Sequence, residues 1–252
     1  MAPDYPDWMF GYDAQEGARR GEMGVAASRT GSVLWSTSFE NGLAEFTESA
    51  PAEGTAVRSS LYSFHGAVSC RLITGAVFLD QAGLWKRITP VVYTKAGVEI
   101  YFMDQGGGGD EYKSFTLLLH LLDAAAPTKD VRAEFVITRD GSGNGFIQLE
   151  DADAGFVTLP FTLPYFFVPA GGVGNVTYFH QIKMTVDFTK SPPEYSKLII
   201  DGVEYDISAY HPPITTNLLQ RSAFEIIATL WTFEAVSHAG FIDAWTLTIN
   251  EP

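Results

Sequence analysis

Glu204 and Asp206 in "DGVEYDIS" stand two residues apart and share one side of an extended chain. Two carboxyl groups flanking a glycosidic bond, one of them acting as acid, are what sugar hydrolysis requires. These two follow an Asp-Gly turn, and their side of the strand reads as its solvent face. The stretch "DGSGNGFIQLED" puts oxygen-bearing residues at places 1, 3 and 5 (Asp140, Ser142, Asn144), Gly145 at place 6 and Asp151 at place 12. That is the spacing of an EF-hand-type calcium loop. Place 12 holds Asp instead of the longer Glu, and "VRAEFVIT" enters as a strand where a helix is needed. A Gly-rich hairpin loop is therefore expected, with Ca²⁺ as its alternative.

Other reactive arrangements fail on spacing. His65, His120, His180, His211 and His238 are scattered singly. The run Gly106 to Gly109 lacks the Lys and following helix of a phosphate cradle. No G-x-S-x-G, P-loop or H-E-x-x-H pattern occurs. The expectation is a protein without catalysis and without a resident metal. Binding chemistry is better represented. Trp231 and Phe233 share one parity in "AFEIIATLWTFEA", opposite Phe224, Ile226 and Leu230. An outward aromatic pair can stack on a sugar ring, and the alternative is a second buried layer.

The elements that hold these residues are strands. Short apolar runs recur at 56–62, 67–74, 87–93, 97–103, 113–121, 131–138, 145–150, 180–188, 196–200, 203–207, 223–232 and 241–249, punctuated by Gly, Pro, Asn and Asp. Many short strands without helical periodicity predict a sandwich or barrel. "FTLLLHLLDAAA" is ambiguous, and its first part is expected to be a buried strand. In "LIIDGVEYDI" the Asp201-Gly202 pair fits a type I′ turn. It predicts Ile200 opposite Val203, Leu198 opposite Tyr205, and Lys197 opposite Asp206. Ile182, Met184, Val186 and Phe188 alternate with polar residues, which predicts a half-buried strand.

Residues 1–32 differ in character. Tyr5, Trp8, Phe10 and Tyr12 lie among charges, and Ala14 to Met23 could form a short helix. An arm that docks on a neighbour is expected, with a frayed tail as the alternative. "TLPFTLPYFFVPAGGVGN" carries Phe161, Tyr165, Phe166 and Phe167 among three prolines. This excludes a central strand and leaves either a loop over the core or a partner interface. Protein partners, in a homo-oligomer or larger assembly, follow from these aromatics.

The 252 residues carry 30 acidic and 16 basic side chains, a formal charge of −14. Such a surface disfavours nucleic acid and anionic membranes. No apolar run is long enough to span a bilayer. The start lacks the features of a signal peptide, so synthesis in a cytoplasm is expected. Cys70, the one cysteine, reads as a small core residue.

"YFHQIKMTVDF" followed by "YSKLIIDGVEYDI" resembles the concanavalin A-like lectin and laminin-G-like jelly rolls, whose aromatic-led strand precedes a D-G hairpin. "SFENGLAEF" with "SFHGAVSCRLIT" resembles their opening, and "AGFIDAWTLT" their closing strand. The resemblance implies an all-β, two-sheet antiparallel sandwich over residues 33–252, behind the arm of residues 1–32. Hydrolases of this fold carry carboxylates in an E-x-D-x-x-E pattern, whose last glutamate is missing after Asp206. The expected function is a non-catalytic structural or adhesion protein, a virion surface or assembly component. A carbohydrate-binding lectin-like module is the alternative, and a glycan hydrolase the remote one.

Overall fold

The computed structural model describes residues 31–49, 53–89, 91, 93–105, 113–125, 129–139, 145–163, 179–216 and 221–252. The aromatic arm residues Tyr5, Trp8, Phe10 and Tyr12, the loop residues Tyr165, Phe166 and Phe167, and the expected helix from Ala14 lie outside them.

Two antiparallel sheets form a jelly-roll sandwich. The first runs in the order β13 (Val203–Asp206), β12 (Glu194–Ile200), β11 (His180–Asp187), β6 (Lys95–Asp104), β16 (Ala239–Ile249), β4 (Ser69–Ile73) and β3 (Thr55–Ser59). β1 (Ser32–Thr37) pairs with the far half of β16. The second runs β10 (Gly155–Leu163), β9 (Gly145–Asp151), β8 (Lys129–Arg139), β7 (Lys113–Asp123), β15 (Ala223–Thr232), β5 (Gln81–Ile88) and β2 (Thr47–Ser49), with β14 (Ile214–Thr215) beside β8. Among the described residues none is helical.

Alternation along each strand builds the core between the sheets. Ile100 and Phe102 on β6 face Phe115, Leu117 and Leu119 on β7, and Phe102 stacks on Phe115 with ring centres 4.0 Å apart. Tyr195 on β12 crosses the core to the second sheet. Its hydroxyl donates to the Glu150 carbonyl at 2.7 Å and accepts from the Glu134 N–H at 3.1 Å. The first and last described strands pack together, with Trp245 of β16 stacked on Phe46 and edge-on to Trp35 of β1.

The Asp201-Gly202 turn has positive φ at both positions, 50° and 79°, as a type I′ turn requires. Its register pairs Lys197 with Asp206, Leu198 with Tyr205 and Ile200 with Val203. The ion pair nevertheless goes to a neighbour: Lys197 Nζ meets Glu204 Oε1 at 2.9 Å, while Asp206 accepts from the Ser208 N–H. The ambiguous run is strand β7 from Phe115 to Asp123, and the strand ends before Ala124.

Three expectations change. β11 is not half-buried, because Gln181, Lys183 and Thr185 are as hidden as its apolar residues. It is an interior strand whose polar side forms its own network, with Gln181 Nε2 donating to Glu99 at 3.1 Å and Lys183 ion-paired to Glu251 at 2.8 Å. β5 begins at Gln81, not at 87, because Ala82 and Gly83 dilute the apolar alternation that marks a strand. "GFVTLPFTL" is strand β10 at a sheet edge, where Pro160 breaks no interior ladder and the register shifts between Thr158 and Thr162.

Candidate functional site

The outer side of the second sheet brings distant residues into rows. The register places Arg87 of β5 opposite Glu225 of β15, Glu225 opposite His120 of β7, and His120 opposite Arg132 of β8. The next row holds Trp85, Ile227, Leu118 and Glu134. The third holds Gly83, Thr229, Thr116, Val136 and Gln148, and the fourth Gln81, Trp231, Ser114, Thr138 and Phe146. Rows lie about 6.8 Å apart along the strands, and residues within a row about 4.8 Å apart. In the third row Gly83, Thr229 and Thr116 make a floor of small side chains. A Cβ on Gly83 would come within 2.7 Å of the Ala228 carbonyl, so only glycine lets β5 lie this close to β15 there.

The charged row is internally matched. Glu225 is buried and accepts from Arg87 and Arg221, each at 2.8 Å. Both guanidiniums also lie over the Trp85 ring, at 4.7 and 5.8 Å from its centre. Arg132 pairs with Glu134 at 2.8 Å and Glu150 at 3.4 Å. Burial, with Arg132 adding to it, pushes the His120 imidazole down to about 4. The ring is therefore neutral near pH 7, and its Nε2 is buried without a hydrogen-bond partner. Burial raises the Glu150 carboxyl above the ordinary range, although Arg132 opposes it. A neutral imidazole, guanidinium groups and partly exposed indole rings can hold a polar ring-shaped ligand, and the imidazole can accept a proton.

Of the aromatic pair expected from parity, Trp231 occupies the fourth row and is half-buried. Phe233 falls beyond the end of β15, so the two do not share a strand. Phe161 is half-buried and stacks on Tyr205 at 4.0 Å, packed against the protein's own core. Trp85, His120, Arg132 and Glu225 were not singled out from sequence. The alternation of "GLWKRI" carried the one usable signal, since it sets Trp85 and Arg87 on one side.

Of the expected calcium loop, only places 6 to 12 lie among the described residues. Places 6 to 12 are the extended strand β9, which cannot curl around a cation, and the Asp151 carboxylate accepts the N–H groups of Asp153, Ala154 and His211. Asp140, Ser142 and Asn144 lie outside the described residues. Among the described residues no cluster of three or more His, Cys, Asp or Glu is arranged to hold a metal. Glu204 and Asp206 are exposed on the hairpin, remote in register from the rows above.

No family model and no curated protein matches the chain. Solved structures do. An endo-β-1,4-glucuronan lyase from the fungus Trichoderma reesei superposes with a TM-score of 0.59 at 8% identity, over 86% of this chain and 96% of that one. Alginate lyase Aly36B with bound alginate trisaccharide gives 0.48 at 11% identity, over 86% and 98%. The potassium-bound carbohydrate recognition domain of Emp46p gives 0.45 at 12% identity, over 84% and 92%. What the chain shares with the glucuronan lyase is the fold, an antiparallel two-sheet jelly-roll sandwich. The expectation of a protein without catalysis, drawn from the absence of enzyme motifs, is overturned, since the glucuronan lyase is an enzyme on this fold. A phage or viral origin gains no support from these neighbours.

Proposed function

We propose that the chain binds carbohydrate across the outer side of its second sheet. The observation that carries this reading is the arrangement of rows: Trp85 and Trp231 bracket the small floor of Gly83, Thr229 and Thr116, with polar residues on both flanks. Indole rings stack on the apolar faces of pyranoses, and the flanking groups fix orientation by hydrogen bonds. Titration calorimetry against β-1,4-glucuronan and cellulose oligosaccharides tests it. Wild-type binding that weakens about tenfold in Trp231→Ala and Trp85→Ala supports the reading. Failure of the wild-type chain to bind either series ends it.

His120 favours a second reading, in which the chain also acts on the bound glycan. Its imidazole is neutral, and although Nε2 is buried without a hydrogen-bond partner, the ring as a whole is only partly covered on the outer side of the sheet. In an elimination the imidazole takes the proton from a ring carbon next to a carboxylate, the C–O bond at the adjoining carbon breaks to leave a C=C bond, and the departing oxygen takes a proton from water. Unsaturated product released from β-1,4-glucuronan by wild type and not by His120→Ala, with oligosaccharide binding retained, supports this reading. Binding without any turnover rejects it. An assembly role has less behind it, because Phe161 is engaged internally.

A further inference from the structure

The loop from Thr74 to Asp80 joins β4 of the first sheet to β5 of the second. At its tip Val77, Phe78 and Leu79 expose 44, 63 and 50% of their surface. Three adjacent apolar side chains in water are a cost that the fold does not recover. The tip is nonetheless fixed. The Asp80 N–H donates to the Val77 carbonyl at 3.1 Å, closing a turn. The buried Asp80 carboxylate accepts from Gly75 at 2.6 Å and Glu53 at 3.3 Å. The Thr232 N–H, one residue beyond Trp231, donates to the Asp80 carbonyl at 2.9 Å. Leu79 holds φ at 62°, which glycine adopts freely and leucine only under strain.

We propose that the Phe78 turn is an outlying sugar-stacking subsite, which extends the glycan face of the second sheet past Trp231. This rests on the carbohydrate reading above. Gln81, beside Trp231 in the fourth row, begins the strand that leaves this turn. A polysaccharide lying along β5 and β15 passes Trp85, the small floor and Trp231, and leaves the sheet at Gln81, three residues after the exposed Phe78. One exposed phenyl ring suffices for the C–H face of one pyranose. A protein partner or second copy needs about 800 Å² on each side, far more than three side chains at a loop tip supply. The net charge of −14 repels an anionic bilayer.

The test compares wild type, Phe78→Ala and Trp231→Ala for affinity towards β-1,4-glucuronan and cellulose oligosaccharides, from the disaccharide upward. An unchanged melting temperature shows that Phe78→Ala is folded. The expected result is a Phe78→Ala chain that matches wild type on the shortest oligomers and binds the longest about three- to tenfold more weakly. If Trp231→Ala weakens binding while Phe78→Ala matches wild type at every length, the subsite is overturned and the sheet-face reading stands. A Phe78→Ala loss that is equal at all lengths also overturns it. If wild type binds neither series, or Trp231→Ala changes nothing, the sheet-face reading fails and the subsite with it.

Discussion

The carboxylate of Asp104, at the end of β6 in the first sheet, meets the ammonium of Lys113, at the start of β7 in the second, at 2.7 Å. Both side chains are fully buried. They continue the inward-facing series Ile100–Phe102 and Phe115–Leu117, so an ion pair stands where each strand would otherwise place another apolar residue. The two sheets are tied at this end by charge.

Removing one partner leaves the other charge buried without its counter-ion. Asp104→Asn or Lys113→Met should each lower unfolding free energy by about 3–5 kcal/mol, whereas an apolar replacement of both should cost much less. Urea denaturation of the two single variants and the double Asp104→Leu/Lys113→Met variant measures this. Single variants as stable as wild type would show that the pair contributes nothing.

Stability should rise with pH between about 4 and 6.5. Burial holds both His120 and His238 down at about 4, against an ordinary value of 6.5. In that window the unfolded chain binds protons that the folded one refuses. Their stabilisation is complete above 6.5 and is lost as pH falls towards 4, on the order of 3 kcal/mol for His120. Asp243 opposes them. Burial raises its carboxyl to about 7 despite the N–H donors of Phe64, His65 and Ala244, so its contribution declines as pH rises from about 4 to 7. Melting temperature against pH should have a flatter slope in His120→Gln and a steeper rise in Asp243→Asn. Parallel curves for all three chains would contradict these assignments.

Cys70 should be inert in the folded chain. It is buried on β4, and burial, with Glu48 adding to it, pushes its thiol far above the ordinary range. An aromatic disulfide reagent should label it only as fast as the protein unfolds. Rapid labelling of native protein would place the thiol at the surface.

Parts of this fold are legible in short windows. The Asp201-Gly202 hairpin announces itself because turn chemistry, alternation and register are all set within ten residues. The closing strand "AGFIDAWTLT" is recognisable for the same local reason, and its Trp245 lies in the core as a large apolar residue should. The candidate site is not legible in this way. Arg87, His120, Arg132 and Glu225 come from four strands spread across the chain, and no local pattern connects them. β11 shows the same limit: alternation marks its polar side, but whether that side meets water depends on what covers it.

The sequence by itself determined that the chain is all-β, where most strands lie, and which side of each is apolar, because those properties follow from period-two alternation and from turn residues acting on their neighbours. Only the tertiary structure decided which strands adjoin. Register then set His120 between Glu225 and Arg132, closed Asp104 onto Lys113, and left Phe78 exposed on the turn that leads into β5 opposite the end of β15. Strand pairing is a long-range choice made by the whole core, and the chemistry of the surface rows follows from it.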